Sequence, residues 1–202
     1  MKKLIAGVVL GVSLSATAVA AGDPEAGKAN AAVCASCHGA TGAEPIMSTY
    51  PKIANLGERY LFQQMVHVRE GRRVIPEMTG LLDNMSDQDL RDLAAYYNQQ
   101  TMTIGEADPE LVERGQALYR GGNLAAGIPA CAACHSPNGK GNEPAGYPRL
   151  SGQTADYIAK ALREYRAGTR DVDSNSQIMM DIANRMHDTE IDALASYISG
   201  LH

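Results

Sequence analysis

Apolar residues in this chain recur every three or four positions rather than every second one, and they do so in two series that resemble each other. From Glu58 to Glu70 and from Ala155 to Ala167 they fall at helical spacing, and both series stop at a glycine, Gly71 or Gly168, suited to a helix C′ position. Met85 followed by Ser86-Asp87-Gln88-Asp89 reads as a hydrophobic staple, directed at Leu90, with a capping box. That signature predicts a helix running to about Gln99, with a counterpart from Asp188 to about Ser199. Asp23-Pro24 and Asp108-Pro109 each offer an N-cap with proline at the first helical position, so a helix is predicted to open each series. No useful length of chain alternates with a period of two, so strands are not expected and the fold class is all-α.

The two series keep register. An offset of 97 maps His38 onto His135, Tyr50-Pro51-Lys52-Ile53 onto Tyr147-Pro148-Arg149-Leu150, Tyr60 onto Tyr157, and Arg69-Glu70-Gly71 onto Arg166-Ala167-Gly168. Beyond Gly168 the second copy gains four residues, and an offset of 101 then maps Met78 onto Met179, Met85-Ser86-Asp87 onto Met186-His187-Asp188, and Leu93 through Tyr96 onto Leu194 through Tyr197. The extra residues are expected in a loop, where insertions are tolerated. The predicted organisation is two tandem domains, residues 21–105 and 106–202, joined by a linker near Gln100 to Ala107.

Residues 1–20 have a different character. Met1-Lys2-Lys3, an apolar run from Leu4 to Leu14 and the small residues Ala18-Val19-Ala20 read as a secretory signal peptide with cleavage expected after Ala20. The apolar run is too short to span a bilayer, so no transmembrane anchor is expected after cleavage. Removing Lys2 and Lys3 from the 18 basic residues leaves 16 against 23 acidic ones, a balance that argues against nucleic acid as a partner. The halves carry 7 basic and 10 acidic, and 9 basic and 13 acidic side chains, too similar to mark a docking face. With no Trp and one Phe, two domains of this size would struggle to bury enough apolar surface unaided, and a large apolar prosthetic group would complete the core.

The cysteines identify that group. An even count in an exported chain first suggests disulfides, but all four lie in Cys34-Ala35-Ser36-Cys37-His38 and Cys131-Ala132-Ala133-Cys134-His135, two haem-attachment motifs. The spacing lets two thiols reach the two vinyl groups of one porphyrin while the adjacent histidine comes beneath the iron. Two covalently bound haem c groups are therefore expected, with Cys34, Cys37, Cys131 and Cys134 as attachment points and His38 and His135 as axial iron ligands. An electron carrier's haem iron takes a second protein ligand, often Met. The repeat offers two equivalent pairs, Met78 with Met179 and Met85 with Met186. Met85 has a packing duty at a helix start, whereas Met78 lies in a non-helical approach loop, which favours Met78 and, by register, Met179. Met180 stays open as a neighbour of Met179, since a one-residue alignment error would exchange them. His67, His187 and His202 do not recur in register and are read as structural or solvated, while Lys52, Arg72, Arg73 and Arg149 are candidates for pairing with haem propionates or for solvated surface charge.

These motifs, with the paired Tyr-Pro-Lys/Arg segments, Glu77-Met78-Thr79-Gly80, Gly121-Gly122-Asn123 and the closing Ser199-Gly200-Leu201-His202, resemble the dihaem cytochrome c4 family over essentially the whole mature chain. The resemblance implies two class I cytochrome c domains related by an approximate two-fold axis, with haems near their interface. It also implies that the carbonyls of Pro51 and Pro148 accept the Nδ1 protons of His38 and His135, and that Met78 and Met179 are the sixth ligands. The expected function is a periplasmic carrier, not an enzyme, passing electrons from a quinol-oxidising complex or periplasmic dehydrogenase to a terminal oxidase. Its partners would be membrane-bound respiratory complexes or periplasmic redox proteins. The alternatives are a dihaem electron-accepting subunit of a dehydrogenase complex, as in flavocytochrome c, and a dihaem enzyme such as a peroxidase or thiosulfate dehydrogenase.

Overall fold

The computed structural model describes residues 21–202; the leader proposed for residues 1–20 lies outside the described residues. Among the described residues nine α-helices run in chain order: α1 (Pro24–Asn30), α2 (Ala32–His38), α3 (Glu58–Arg69), α4 (Asp87–Asn98), α5 (Val112–Gly121), α6 (Ala132–His135), α7 (Ala155–Arg166), α8 (Ser174–Ala183) and α9 (Asp188–Ser199), with 3₁₀ turns at Pro76–Met78, Leu124–Ala126 and Glu143–Ala145. No strand forms among the described residues, only two isolated bridges, Asn123 with Ile128 and Asn142 with Tyr147.

Each half is built around a crossing of its first and last long helices. Where α1 meets α4, a Cβ on Gly27 would lie 2.0 Å from the Asp92 carbonyl oxygen, and where α5 meets α9, one on Gly115 would lie 2.2 Å from that of Ala193. Glycine is required there because helix backbone fills the space a side chain would need. Behind these crossings Leu61, Leu90, Leu93 and Tyr97 form one core, and Tyr119, Ile191, Leu194 and Ile198 form the other. Each fully buried Leu or Ile contributes roughly 1.5–3 kcal/mol, which holds the helix pair that frames each site.

Several helix boundaries follow from local chemistry. The Asp23 carboxylate accepts from the backbone N–H of Glu25 and Ala26, with Pro24 opening α1. Ser86 and Asp89 form the reciprocal capping box of α4, and the Glu190 carboxylate accepts from His187 N at the start of α9. Arg69 Nη1 donates to the Met85 carbonyl at 2.9 Å and Arg166 Nη1 to that of Met186 at 3.2 Å, tying the end of α3 to the start of α4 and the end of α7 to the start of α9.

Two expectations are corrected. Asp108-Pro109 does not open α5, which starts at Val112; Asp108 instead accepts from Glu110 N, and residues 109–111 form a turn. The four extra residues of the second copy do not make a loop. They extend into α8, capped by Asp173 and Ser176, whereas the first copy makes only a single 3₁₀ turn at Pro76–Met78. Met179 is therefore helical, unlike Met78.

The halves contact each other around Lys52 and Arg149. Lys52 N donates to Gln153 Oε1 and Gln153 Nε2 donates to the Lys52 carbonyl, both at 2.8 Å, while Arg149 N donates to the Leu56 carbonyl at 3.3 Å. Leu56 and Gln153 hold equivalent positions in the repeat, so these contacts obey an approximate two-fold relation. A second pair obeys it too: Arg73 Nη2 donates to Tyr157 Oη at 3.1 Å and Arg170 Nη2 to Tyr60 Oη at 2.8 Å.

Candidate functional site

In the first half, α2 carries Cys34, Cys37 and His38 and ends at Gly39, whose φ of 82° turns the chain away from the helix. Cys34, Cys37 and His38 line a cavity of about 420 Å³, and Met78 lines it as well. That volume lies within the usual range for cofactor pockets, roughly 300–1,000 Å³. The remaining wall is largely apolar, including Ile53, Leu61, Met65, Val68 and Leu82.

His38 presents its ring in one tautomer. Its Nδ1 lies 2.8 Å from the Pro51 carbonyl oxygen, and His135 Nδ1 lies 2.9 Å from that of Pro148. A carbonyl can only accept, so Nδ1 carries the proton and Nε2 keeps a free lone pair. Burial is the main influence on both imidazoles and lowers their pKa, against the smaller opposing effect of the proline carbonyl. Neutral, oriented imidazole is the form that binds iron. Burial likewise raises the Cys34 thiol and pushes Cys131 up to about 11, so both stay protonated and pack as apolar groups until they react.

The second half repeats this arrangement with two differences. His135 is followed by Ser136, which adopts φ 67° and ψ 156° where the first half has glycine. Met179 is presented from α8, half-buried against the same core on which Cys131, Leu150 and Ile182 pack. Met180 lies on another side, its Cε nearest the space above Gly168. Met85 and Met186, the rival pair, pack on the two helix cores.

The four cations suggested for propionates are largely engaged elsewhere. Lys52 Nζ donates to the carbonyl and hydroxyl oxygens of Thr103, anchoring the linker, and Arg149 donates to Ser151. Arg72 pairs with Glu70, while Arg73 lines the cavity and donates to Gln64 and Tyr157. Arg170 is the cation that sequence reasoning missed, although an offset of 97 maps Arg73 onto it. Of the unrepeated histidines, His187 and His202 are exposed, and His67 is buried 3.8 Å from Asp173.

Residues 112–202 match the family model described as cytochrome c, and residues 23–96 match that described as cytochrome c oxidase, cbb3-type, subunit III. Over its full length, and the full length of the relative, the chain is 52% identical to a cytochrome c4 of Pseudomonas aeruginosa. A thiosulfate dehydrogenase electron acceptor of Thiomonas intermedia is 32% identical, with 98% of this chain and 91% of the relative covered. The crystal structure of reduced cytochrome c4 from Pseudomonas stutzeri superimposes with a TM-score of 0.87 at 46% identity, covering 90% of this chain and all of that one. Two haem-attachment motifs facing buried cores, and identity of this extent along the whole sequence, lead to one statement: the chain belongs to the cytochrome c4 family, dihaem electron-transfer cytochromes whose haem c groups are covalently bound.

Proposed function

We propose that the chain is an exported, periplasmic carrier that passes electrons to a terminal oxidase, with residues 21–105 and 106–202 each holding one haem. Cys34 and Cys37 would attach one and Cys131 and Cys134 the other, with His38 and Met78 holding the first iron and His135 and Met179 the second. One observation carries the reading: His38, with Nδ1 fixed by Pro51, lines a cavity that Met78 also lines. A haem held there would supply one-electron redox chemistry. The protein's part is to hold a neutral imidazole, a thioether and a dry apolar wall around it, conditions that favour a high potential. Among the described residues no helix is long and apolar enough to cross a membrane.

Two protein ligands on each iron leave no position for a substrate, so the reduced protein should bind carbon monoxide slowly or not at all. Rapid stoichiometric binding at either haem would move a dihaem enzyme to first place. The partner is tested by adding reduced protein to respiratory membranes of the source organism: oxidation that stops with an oxidase inhibitor supports the carrier reading. The thiosulfate dehydrogenase electron acceptor among the relatives favours a second reading, an accepting subunit for a periplasmic dehydrogenase. Co-purification with a dehydrogenase subunit, and reduction by that subunit alone, would select it.

A further inference from the structure

The cavity of the first half is not built by the first half alone. Tyr157, Lys160, Glu164, Thr169 and Arg170 of the second half also line it. Arg170 is only 4% exposed, yet it makes no ion pair among the described residues. Glu164, the nearby carboxylate, pairs with Lys160 instead. Arg170 Nη2 donates to Tyr60 Oη at 2.8 Å and to Gln64 Oε1 at 3.4 Å, and its guanidinium stacks on the Tyr165 ring at 4.6 Å. Its Nε is buried without a hydrogen-bond partner among the described residues. A buried cation with an unfilled donor is costly unless an anion completes it. Haem brings two carboxylates, and this guanidinium borders the cavity that would receive one haem.

We propose that Arg170 receives a propionate of the first half's haem across the domain boundary and holds that haem's potential up. The inference rests on the reading that Cys34, Cys37, His38 and Met78 hold this haem. Reduction adds negative charge to the iron centre, so a nearby buried cation favours the ferrous form. Removing the cation should favour the ferric form. Gln64 is a shared acceptor for Arg73 and Arg170, and its counterpart in the second half is Ala161, which cannot accept from either. Two guanidinium groups thus converge on the first cavity, and Arg170 is the one whose unfilled donor is buried.

The test is a redox titration of the dihaem protein in which each haem is followed by the NMR signal of its axial methionine methyl, assigned by loss of one signal in Met78→Ala. In Arg170→Gln the reduced-to-oxidised ratio of the first haem at fixed potential should fall about tenfold, a shift of about 59 mV for one electron, with a smaller change at the second. Arg170→Lys, which keeps the charge but loses the planar fork, should retain most of the wild-type potential. The first haem's potential in Arg170→Gln should also fall more steeply with rising pH than in the wild type, because a propionate without its cation is easier to protonate. Equal shifts at both haems, an unchanged first haem, or a Lys variant that falls as far as the Gln variant would overturn the proposal. So would a lowered unfolding midpoint with both potentials intact, which would make Arg170 purely structural. Absence of methionine signals in the wild-type protein would instead reject the ligand assignment beneath it.

Discussion

Met78 ends a single 3₁₀ turn, whereas Met179 sits within a ten-residue helix, although the two occupy matching places in the repeat. The residue after each motif histidine differs as well: Gly39 at φ 82° in the first half, Ser136 at φ 67° in the second. By contrast, the helix crossings at Gly27 and Gly115 and the histidine contacts to Pro51 and Pro148 are alike to within a few tenths of an ångström. The contrast separates two kinds of constraint. Close backbone approach and the aim of an imidazole admit one solution, while a thioether on three rotatable bonds can be delivered from a turn or a helix alike.

The largest effect should come where the halves agree. Gly27→Val and Gly115→Val each place a side chain against helix backbone that cannot move aside without parting the helix pair. Each should cost its half about 3 kcal/mol and depress covalent haem content in that half alone, as read by denaturant unfolding and by mass spectrometry of the two haem peptides. Equal loss in both halves from one substitution would mean that they fold as a single unit.

Next come the methionines, which test whether turn and helix deliver equivalent ligands. Met78→Ala should remove one of two methionine-to-iron charge-transfer signals and lower that haem's potential, and Met179→Ala should do the same for the other. Met85→Ala should leave the spectrum unchanged and destabilise by about 1 kcal/mol, since Met85 is only partly buried. Met180→Ala should be spectroscopically silent. A lost signal in Met180→Ala with Met179→Ala intact would exchange the two.

Legibility followed the same division. The helices α3, α4, α7 and α9 were readable because each carries its own stop or start: Gly71, Gly168, the Ser86 to Asp89 box, and its counterpart before Asp188. The attachment motifs were readable because their spacing is the chemistry itself. Helix α8 was not, because its cap, Asp173 with Ser176, lies inside the inserted segment and has no equivalent in the first copy. Arg170 escaped for another reason: its role depends on a contact between halves, and only the 97-residue register, extended two residues past Gly168, pointed to it. The glycines at the helix crossings carry no local signal of what they approach.

A smaller effect is expected at the residue after the motif histidine. Ser136 occupies a region of backbone space that is nearly exclusive to glycine and costs about 1–3 kcal/mol. Its hydroxyl recovers part of this by accepting from Lys140 N at 2.9 Å. Ser136→Gly should therefore stabilise the second half by about 1 kcal/mol net. The reciprocal Gly39→Ser should destabilise the first, because a Cβ there would meet the Glu44 carbonyl oxygen at 2.4 Å. Thermal unfolding of the two variants measures both, and a destabilised Ser136→Gly would mean that the hydroxyl outweighs the strain.

The smallest effect distinguishes His67 from its repeat counterpart Glu164. Glu164 pairs with Lys160 on its own helix, whereas His67 is buried at the boundary, 3.8 Å from Asp173 across it, with Nδ1 making no hydrogen bond among the described residues. Burial is the main influence on His67 and lowers its pKa, helped by Arg72 and Arg73 and opposed by Asp173 and Glu70. The folded state therefore binds the proton less readily than the unfolded chain, where the value is near 6.5. Stability from this group is complete above about pH 7 and is lost as pH falls through 6.5 toward the folded value, because the unfolded state takes up the proton first. His67→Gln removes the titration without removing polarity. Between pH 7.5 and 5.5 the wild-type protein should lose more stability than this variant, measured as the difference in denaturant midpoints multiplied by a common slope. Identical pH slopes in the two proteins would mean that His67 keeps its ordinary pKa in the fold.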